Sequence, residues 1–241
     1  MRILVINPNT TEAVTERVAA HVRRIAGAAA TIVPATGRFG ARYIASRSAA
    51  AIAGHAALDA FAEHGAGCDA VYLACFGDPG LLALREIAPV PVVGMAEAAC
   101  REAASAGRFA IVTGGTAWRP MLSEFVALLG LSDRLAGLRT TNATGGEIHR
   151  DPDAALADLI AACRACADED GADTVILGGA GLAGLAERIQ PAVPVRVLCS
   201  VEAGTRAVLA AAARPGPTPP DRPAIDSAGL SPALAQLLAG A

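Results

Sequence analysis

The stretch Val71-Tyr72-Leu73-Ala74-Cys75-Phe76-Gly77-Asp78-Pro79-Gly80 passes from an apolar run into a turn. Val71–Ala74 reads as a buried strand that stops at Cys75. Asp78 is placed to cap a following helix, and Pro79 suits its first turn. This order sets a thiol at the mouth of a strand-to-helix turn, facing free backbone N–H groups and the positive end of a helix dipole. Such a setting favours a thiolate and anionic ligands. The alternative for a cysteine at such a place is a buried, inert packing residue.

The same alternation runs outward from this stretch in both directions. Arg2–Ile6 reads as a strand, and Asn9 is expected to cap the next helix with Glu12 three residues on, as in a capping box. Val14, Val18, Val22 and Ile25 then recur at helical spacing. Thr31–Val33 reads as a strand and Ser48–His64 as a helix. Leu81–Ile87 is a helix, Pro91–Val93 a short strand and Glu97–Ala106 a helix. Strands alternating with helices imply parallel sheets, hence an α/β fold.

The pattern then begins again. Arg108–Thr116 repeats the layout of Arg2–Thr10, Asp173–Gly179 that of Asp69–Cys75, and Val197–Ala203 that of Val92–Ala98. Three matches in one order indicate an internal duplication. Two pseudo-symmetric halves are expected, residues 1–99 plus 205–241 and residues 100–204. The site should lie in the cleft between them, beyond the carboxyl ends of the strands.

With 241 residues, 53% of them hydrophobic, the chain can build a large core. Aromatics are only 3%, so that core is mainly Ala, Val, Leu and Ile. The net charge of −3 without a basic patch argues against nucleic acid as a partner. No apolar run reaches the roughly 18–20 residues of a membrane span, and Ile3–Ile6 lacks the form of a signal peptide. A cytoplasmic protein acting on a small molecule is expected.

The six cysteines, Cys68, Cys75, Cys100, Cys163, Cys166 and Cys199, are not needed as disulfides in so core-rich a chain. Cys163 and Cys166 form a C-x-x-C inside a helical stretch with no second ligand pair, so helix packing is expected and no metal. Arg214–Pro223 reads as a proline-rich surface connection. Ser231 is expected to cap a last helix with Pro232 at its first position.

Four motifs together carry a resemblance: Ile6-Asn7-Pro8-Asn9-Thr10, Gly40-Ala41-Arg42-Tyr43-Ile44, Ala74–Gly80 and Pro91-Val92-Val93-Gly94-Met95-Ala96-Glu97-Ala98. In this order they resemble the hydantoin racemases of the aspartate/glutamate racemase superfamily, from Met1 to about residue 210. The resemblance implies a cofactor-independent isomerase, with a homo-oligomeric assembly expected. In that family two cysteines flank the α-carbon of the substrate, one removing a proton and the other returning one on the opposite face. Cys75 matches the first. Where the family motif reads Leu-Gly-Cys-Ala-Gly, this chain has Leu177-Gly178-Gly179-Ala180-Gly181, so Gly179 stands at the position of the second cysteine. Relatives carry Asp where this chain has Cys199, which makes Cys199 a candidate substitute for the missing thiol.

Proton removal beside a carbonyl leaves an enolate-like anion that backbone N–H groups can hold, each worth roughly 3 kcal/mol. The candidate turns for this are Asn9-Thr10, Phe76-Gly77, Gly115-Thr116 and Gly179-Ala180. Thr116 offers a hydroxyl as well, and Trp118 either walls the pocket or packs between helices. Arg42 is placed to meet a substrate anion or to form a structural ion pair. His21, His55, His64 and His149 are dispersed and read as surface or satisfied side chains. The leading expectation is a racemase acting beside a carbonyl on a hydantoin-like or amino-acid-derived substrate. The alternatives are a cofactor-free decarboxylase with Cys75 as sole proton donor, as in arylmalonate decarboxylase of the same superfamily but from the opposite side, or an inactive ligand-binding homologue.

Overall fold

In the computed structural model, residues 1–214, 216 and 223–240 are described. The proline-rich connection expected over Arg214–Pro223 falls for the most part outside them. Eight strands form two parallel sheets. The first holds β1 (Arg2–Asn7), β2 (Thr31–Thr36), β3 (Ala70–Leu73) and β4 (Val92–Gly94) in the order β2-β1-β3-β4. The second holds β5 (Phe109–Gly114), β6 (Leu135–Thr141), β7 (Thr174–Gly178) and β8 (Arg196–Cys199) in the order β6-β5-β7-β8. The two orders are the same permutation, which is the duplication read from the sequence.

The repeat extends to single hydrogen bonds. The Arg2 N–H donates to the Asp69 carboxylate at 2.7 Å, and the Arg108 N–H donates to the Asp173 carboxylate at 2.7 Å. In each half this bond ties the start of the first strand to the residue ahead of the third.

The helices are α1 (Glu12–Ala26), α2 (Arg47–His64), α3 (Leu81–Ile87), α4 (Met95–Ala106), α5 (Trp118–Leu128), α6 (Gly145–Arg150), α7 (Pro152–Asp168), α8 (Leu185–Ile189), α9 (Ser200–Ala212) and α10 (Pro232–Leu238). Val14, Val18 and Val22 of α1 are buried as their spacing implies, while Ile25 stays half-buried. Alternate residues of the strands feed opposite faces. Ile3, Val5 and Tyr72 join the core between the sheets, whereas Leu4, Ile6, Val71 and Leu73 pack under α2 and α3 with Phe61 and Leu84. Burial on both faces explains why these strands are continuously apolar.

α4 and α9 pack on one another, and α9 also meets β3, β4 and β7. Each helix leaves the last strand of one half and lies against the other half. The expected boundaries at 99/100 and 204/205 therefore fall inside continuous helices. Cys163 and Cys166 are fully buried on α7. Ser231 caps α10, its side chain accepting from the Leu234 N–H at 3.3 Å, and α10 packs on α2. No helix among the described residues is long and apolar enough to cross a membrane.

Two expected caps are not formed. The helix after Asn9 starts at Glu12 behind Thr11, without a side-chain cap. Asn9 is held instead in a local net, its Oδ1 accepting from the Asn7 amide at 2.9 Å and the Thr11 N–H at 2.9 Å. Asp78 does not cap α3, which begins behind Gly80 at φ +84°. Its carboxylate reaches across to α4 and accepts from the N–H groups of Ala96 at 2.9 Å and Glu97 at 2.8 Å. A Cβ at Gly94 would stand 2.2 Å from the Asp78 carboxylate, so the glycine leaves the room that this long-range cap occupies.

Candidate active site

Beyond the carboxyl ends of β1, β3, β5 and β7 lies a cavity of about 410 Å³. Cys75, at the end of β3, and Gly179, at the end of β7, both line it. Asn9, Phe76, Trp118 and Ala180 also line it, as do Arg42 and Tyr43 of the loop before α2. Thr10, Gly77, Gly115, Thr116 and Cys199 are not among its lining residues.

The reasons are local. The Thr10 N–H donates to the Ala41 carbonyl at 3.2 Å and the Gly115 N–H to the Thr141 carbonyl at 3.0 Å, so neither donor is free for a ligand. Gly77 faces the indole of Trp118, and Thr116 is exposed outside the cleft. The Gly179 N–H donates to Ser200 Oγ at 3.1 Å. In contrast, the N–H groups of Phe76 and Ala180, which do line the cavity, make no hydrogen bond among the described residues. Both are free to meet an anion in the cavity, as a developing oxyanion would require.

Cys75 is buried, and burial, reinforced by the nearby Asp78 carboxylate, pushes its thiol far above the usual range. This corrects the expectation of a thiolate stabilised by a helix end. α3 starts six residues past Cys75 and Asp78 points to α4, so desolvation dominates. At neutral pH Cys75 is a thiol, a proton donor. Burial likewise raises Asp78, up to about 7, against the two N–H groups it accepts from.

Cys199 sits at the start of α9 in a different cluster. Its sulfur, the His21 ring and the Glu202 carboxylate have ligand atoms within 4.8 Å of one another. Glu202 is also approached by Arg24 at 3.6 Å and Arg206 at 3.7 Å, so two guanidinium groups already balance its charge. Cys199 thus lies outside the cavity, with His21 and Glu202, and not where the expected substitute thiol would have to stand.

Gly179 has φ +135°, a region that a side-chain-bearing residue rarely adopts. The strand end is thus built around glycine. The turn after it, Ala180–Leu182, packs against α6, and the ring of Phe76 covers Gly178.

The sequence missed one part of the wall. α6 brings Glu147, His149 and Arg150 to the cavity. A capping box holds this helix, with Thr144 Oγ1 accepting from the Glu147 N–H at 3.2 Å and Glu147 Oε2 accepting from the Thr144 N–H at 2.8 Å. The signal was present as Thr144-x-x-Glu147. Nδ1 of His149 is buried without a hydrogen-bond partner. Burial, followed by the charge of Arg17, lowers its pKa, so the ring is neutral at pH 7. Tyr43 Oη donates to the Gly114 carbonyl at 2.9 Å, bridging the two halves at the mouth.

Residues 3–208 match the family described as Asp/Glu/Hydantoin racemase. A hydantoin racemase of Paenarthrobacter aurescens is 40% identical over 217 residues, covering 86% of this chain and 89% of the relative. Among solved structures, an allantoin racemase from Pseudomonas fluorescens superposes with TM-score 0.84 at 33% identity, covering 87% of this chain and 90% of that one. An allantoin racemase from Klebsiella pneumoniae gives TM-score 0.85 at 32% identity over 94% and 96% of the two chains. The duplicated sheets, the cleft with its strand-end thiol and these similarities agree: the chain belongs to the Asp/Glu/hydantoin racemase family.

Proposed function

We propose that the protein inverts, without a cofactor, a stereocentre next to a carbonyl in a small cyclic ureide of the hydantoin type, with Cys75 moving the proton on one face. The observation that carries this is the cavity itself. It holds a single thiol, Cys75, at the mouth of a strand, beside two N–H donors without partners at Phe76 and Ala180. The resemblance matches this thiol to the family's first cysteine, and the donors would hold the enolate oxygen. Asn9 and Trp118 shape the substrate pocket, while Gly179, which the resemblance matches to the family's second cysteine, gives only space. The thiols are all free, which suits a reducing cytoplasm. The homo-oligomer that the resemblance implies is to be checked by light scattering.

The test is polarimetry on single enantiomers of 5-benzylhydantoin and allantoin in deuterium oxide. Rotation should decay faster than the spontaneous rate as deuterium enters the α-position, and Cys75→Ala should stop the decay. Rotation that decays no faster than in buffer, for both compounds, removes the reading.

A second reading has its own observation. Arg42 and Arg150 line the cavity and form no ion pair among the described residues, which suits a carboxylate. A neutral Cys75 thiol could then protonate the enolate left by decarboxylation of a malonate. Release of carbon dioxide from phenylmalonate, with one-handed product, would favour this reading over racemisation.

A further inference from the structure

Inversion requires a proton carrier on each face of the α-carbon, and Gly179 cannot be one. We infer that His149, held by α6 against the turn that follows Gly179, carries the proton on the face opposite Cys75. The inference rests on the racemase reading above.

Elimination among the cavity residues points first to this side chain. Arg42 and Arg150 retain their protons in proteins, and asparagine amides do not titrate. The Thr113 hydroxyl donates to the Gly178 carbonyl at 2.7 Å, and Tyr43 is tied to Gly114. Glu147 is engaged in its capping box and is exposed. His149 alone combines a cavity position with an imidazole that makes no side-chain hydrogen bond: Nδ1 is sealed off without a partner, which leaves Nε2 as the nitrogen able to meet a ligand.

The packing places it on the correct side. A Cβ at Gly181 would stand 3.4 Å from the His149 Cβ and 2.4 Å from the Gly145 carbonyl oxygen. The absence of a side chain at Gly181 thus lets α6 lie directly on the turn beside Gly179. Arg17 donates to the His149 carbonyl at 3.1 Å, anchoring the end of α6 to α1. Cys75 comes from the first sheet and His149 from the second half, beside the pseudo-symmetric counterpart of Cys75.

The protonation states match the task. A neutral imidazole has a lone pair to accept a proton, and a buried thiol has a proton to give. His149 takes the α-hydrogen of one enantiomer, and the electrons of that C–H bond pass into the enolate. Cys75 Sγ–H then delivers its proton to the same carbon from the other side. The products are the inverted enantiomer, an imidazolium and a thiolate. The opposite enantiomer is served by that second pair, the thiolate removing the proton and the imidazolium returning one. The two protein states have the same net charge, so neither direction requires a net gain of protons.

The experiment uses single enantiomers of 5-benzylhydantoin in deuterium oxide, followed by polarimetry and by proton NMR of the α-position. His149→Gln and His149→Asn should each lower inversion at least about 100-fold, with circular dichroism showing that both remain folded. Cys75→Ala should lose inversion yet still exchange the α-hydrogen of one enantiomer with retained configuration, because His149 works that face alone. Adding His149→Gln to Cys75→Ala should remove this exchange. Inversion at the wild-type rate in folded His149→Gln or His149→Asn overturns the assignment of His149 and leaves the racemase reading standing. Absence of one-handed exchange in Cys75→Ala also overturns it. A wild-type protein that neither inverts nor exchanges the hydantoin overturns both readings at once.

Discussion

The ring of Phe76 lies against Gly178 across the cleft, where a Cβ would stand 2.5 Å from the ring's Cε1. Trp118 makes the reverse contact, its ring 2.6 Å from where a Cβ of Gly77 would be. Each half thus presses an aromatic ring onto a glycine of the other. Tyr72 adds a third tie, its Oη donating to the Val201 carbonyl at 3.2 Å, and its ring fills the space a side chain at Gly204 would need. Of five phenylalanines, two tyrosines and one tryptophan in the chain, Phe76, Trp118 and both tyrosines tie the two halves together.

Gly178→Ala is expected to push the Phe76 ring aside and displace the neighbouring Cys75. A displacement of that kind costs about 10-fold to 100-fold in turnover. The measurement is kcat on single-enantiomer hydantoin with the fold checked by circular dichroism. Adding Phe76→Leu should relieve the clash and raise the midpoint of thermal unfolding again. A single variant with wild-type kcat would show that the ring does not position the thiol.

Gly179→Cys places a thiol on a backbone shaped for glycine. At φ +135° a side chain is strained, and the Cβ would also stand 3.2 Å from the Leu182 side chain. The variant is expected to lose about 1–3 kcal/mol in urea unfolding. Its inversion rate should not exceed that of the wild type. A faster and equally stable variant would mean that the strand end relaxes readily around the new thiol.

Cys75 should alkylate slowly at pH 7, since burial keeps it a thiol and only the thiolate attacks. Brief iodoacetamide treatment followed by mass-spectrometric mapping should show labelling of Cys75 that climbs with pH and does not level off below about pH 9. Rapid labelling with a plateau near neutrality would show that a charge partner lowers the thiol.

The raised carboxyl of Asp78 makes stability pH-dependent in a definite sense. Its folded value is about 7 against an ordinary value of 3.8. Between these values the folded chain holds a proton that the unfolded chain has released, so stability falls as pH rises across this window. Asp78→Asn removes the titration, and its unfolding midpoint should change less between pH 4 and 7 than that of the wild type. Parallel pH profiles of the two proteins would show that Asp78 stays charged throughout.

Much of the architecture was legible in the sequence because its causes are local. Apolar runs of strand length, valines at helical spacing in α1 and the Ser231-Pro232 start of α10 each act within a few residues. Repetition of the Arg2 and Asp69 pattern at Arg108 and Asp173 announced two equal sheets, and the turn after Val71–Ala74 placed Cys75 at a strand end. Partners distant in sequence were decided only by the tertiary structure. Asp78 met two N–H groups of α4 rather than of α3 because Gly94 leaves room beside them. Cys199 went to His21 and Glu202, away from the cavity, while His149 came to its wall beside Gly181. The direction of the Cys75 shift reversed for the same reason: a helix end can be read from a turn, but desolvation depends on everything packed around the sulfur, and no local pattern records that.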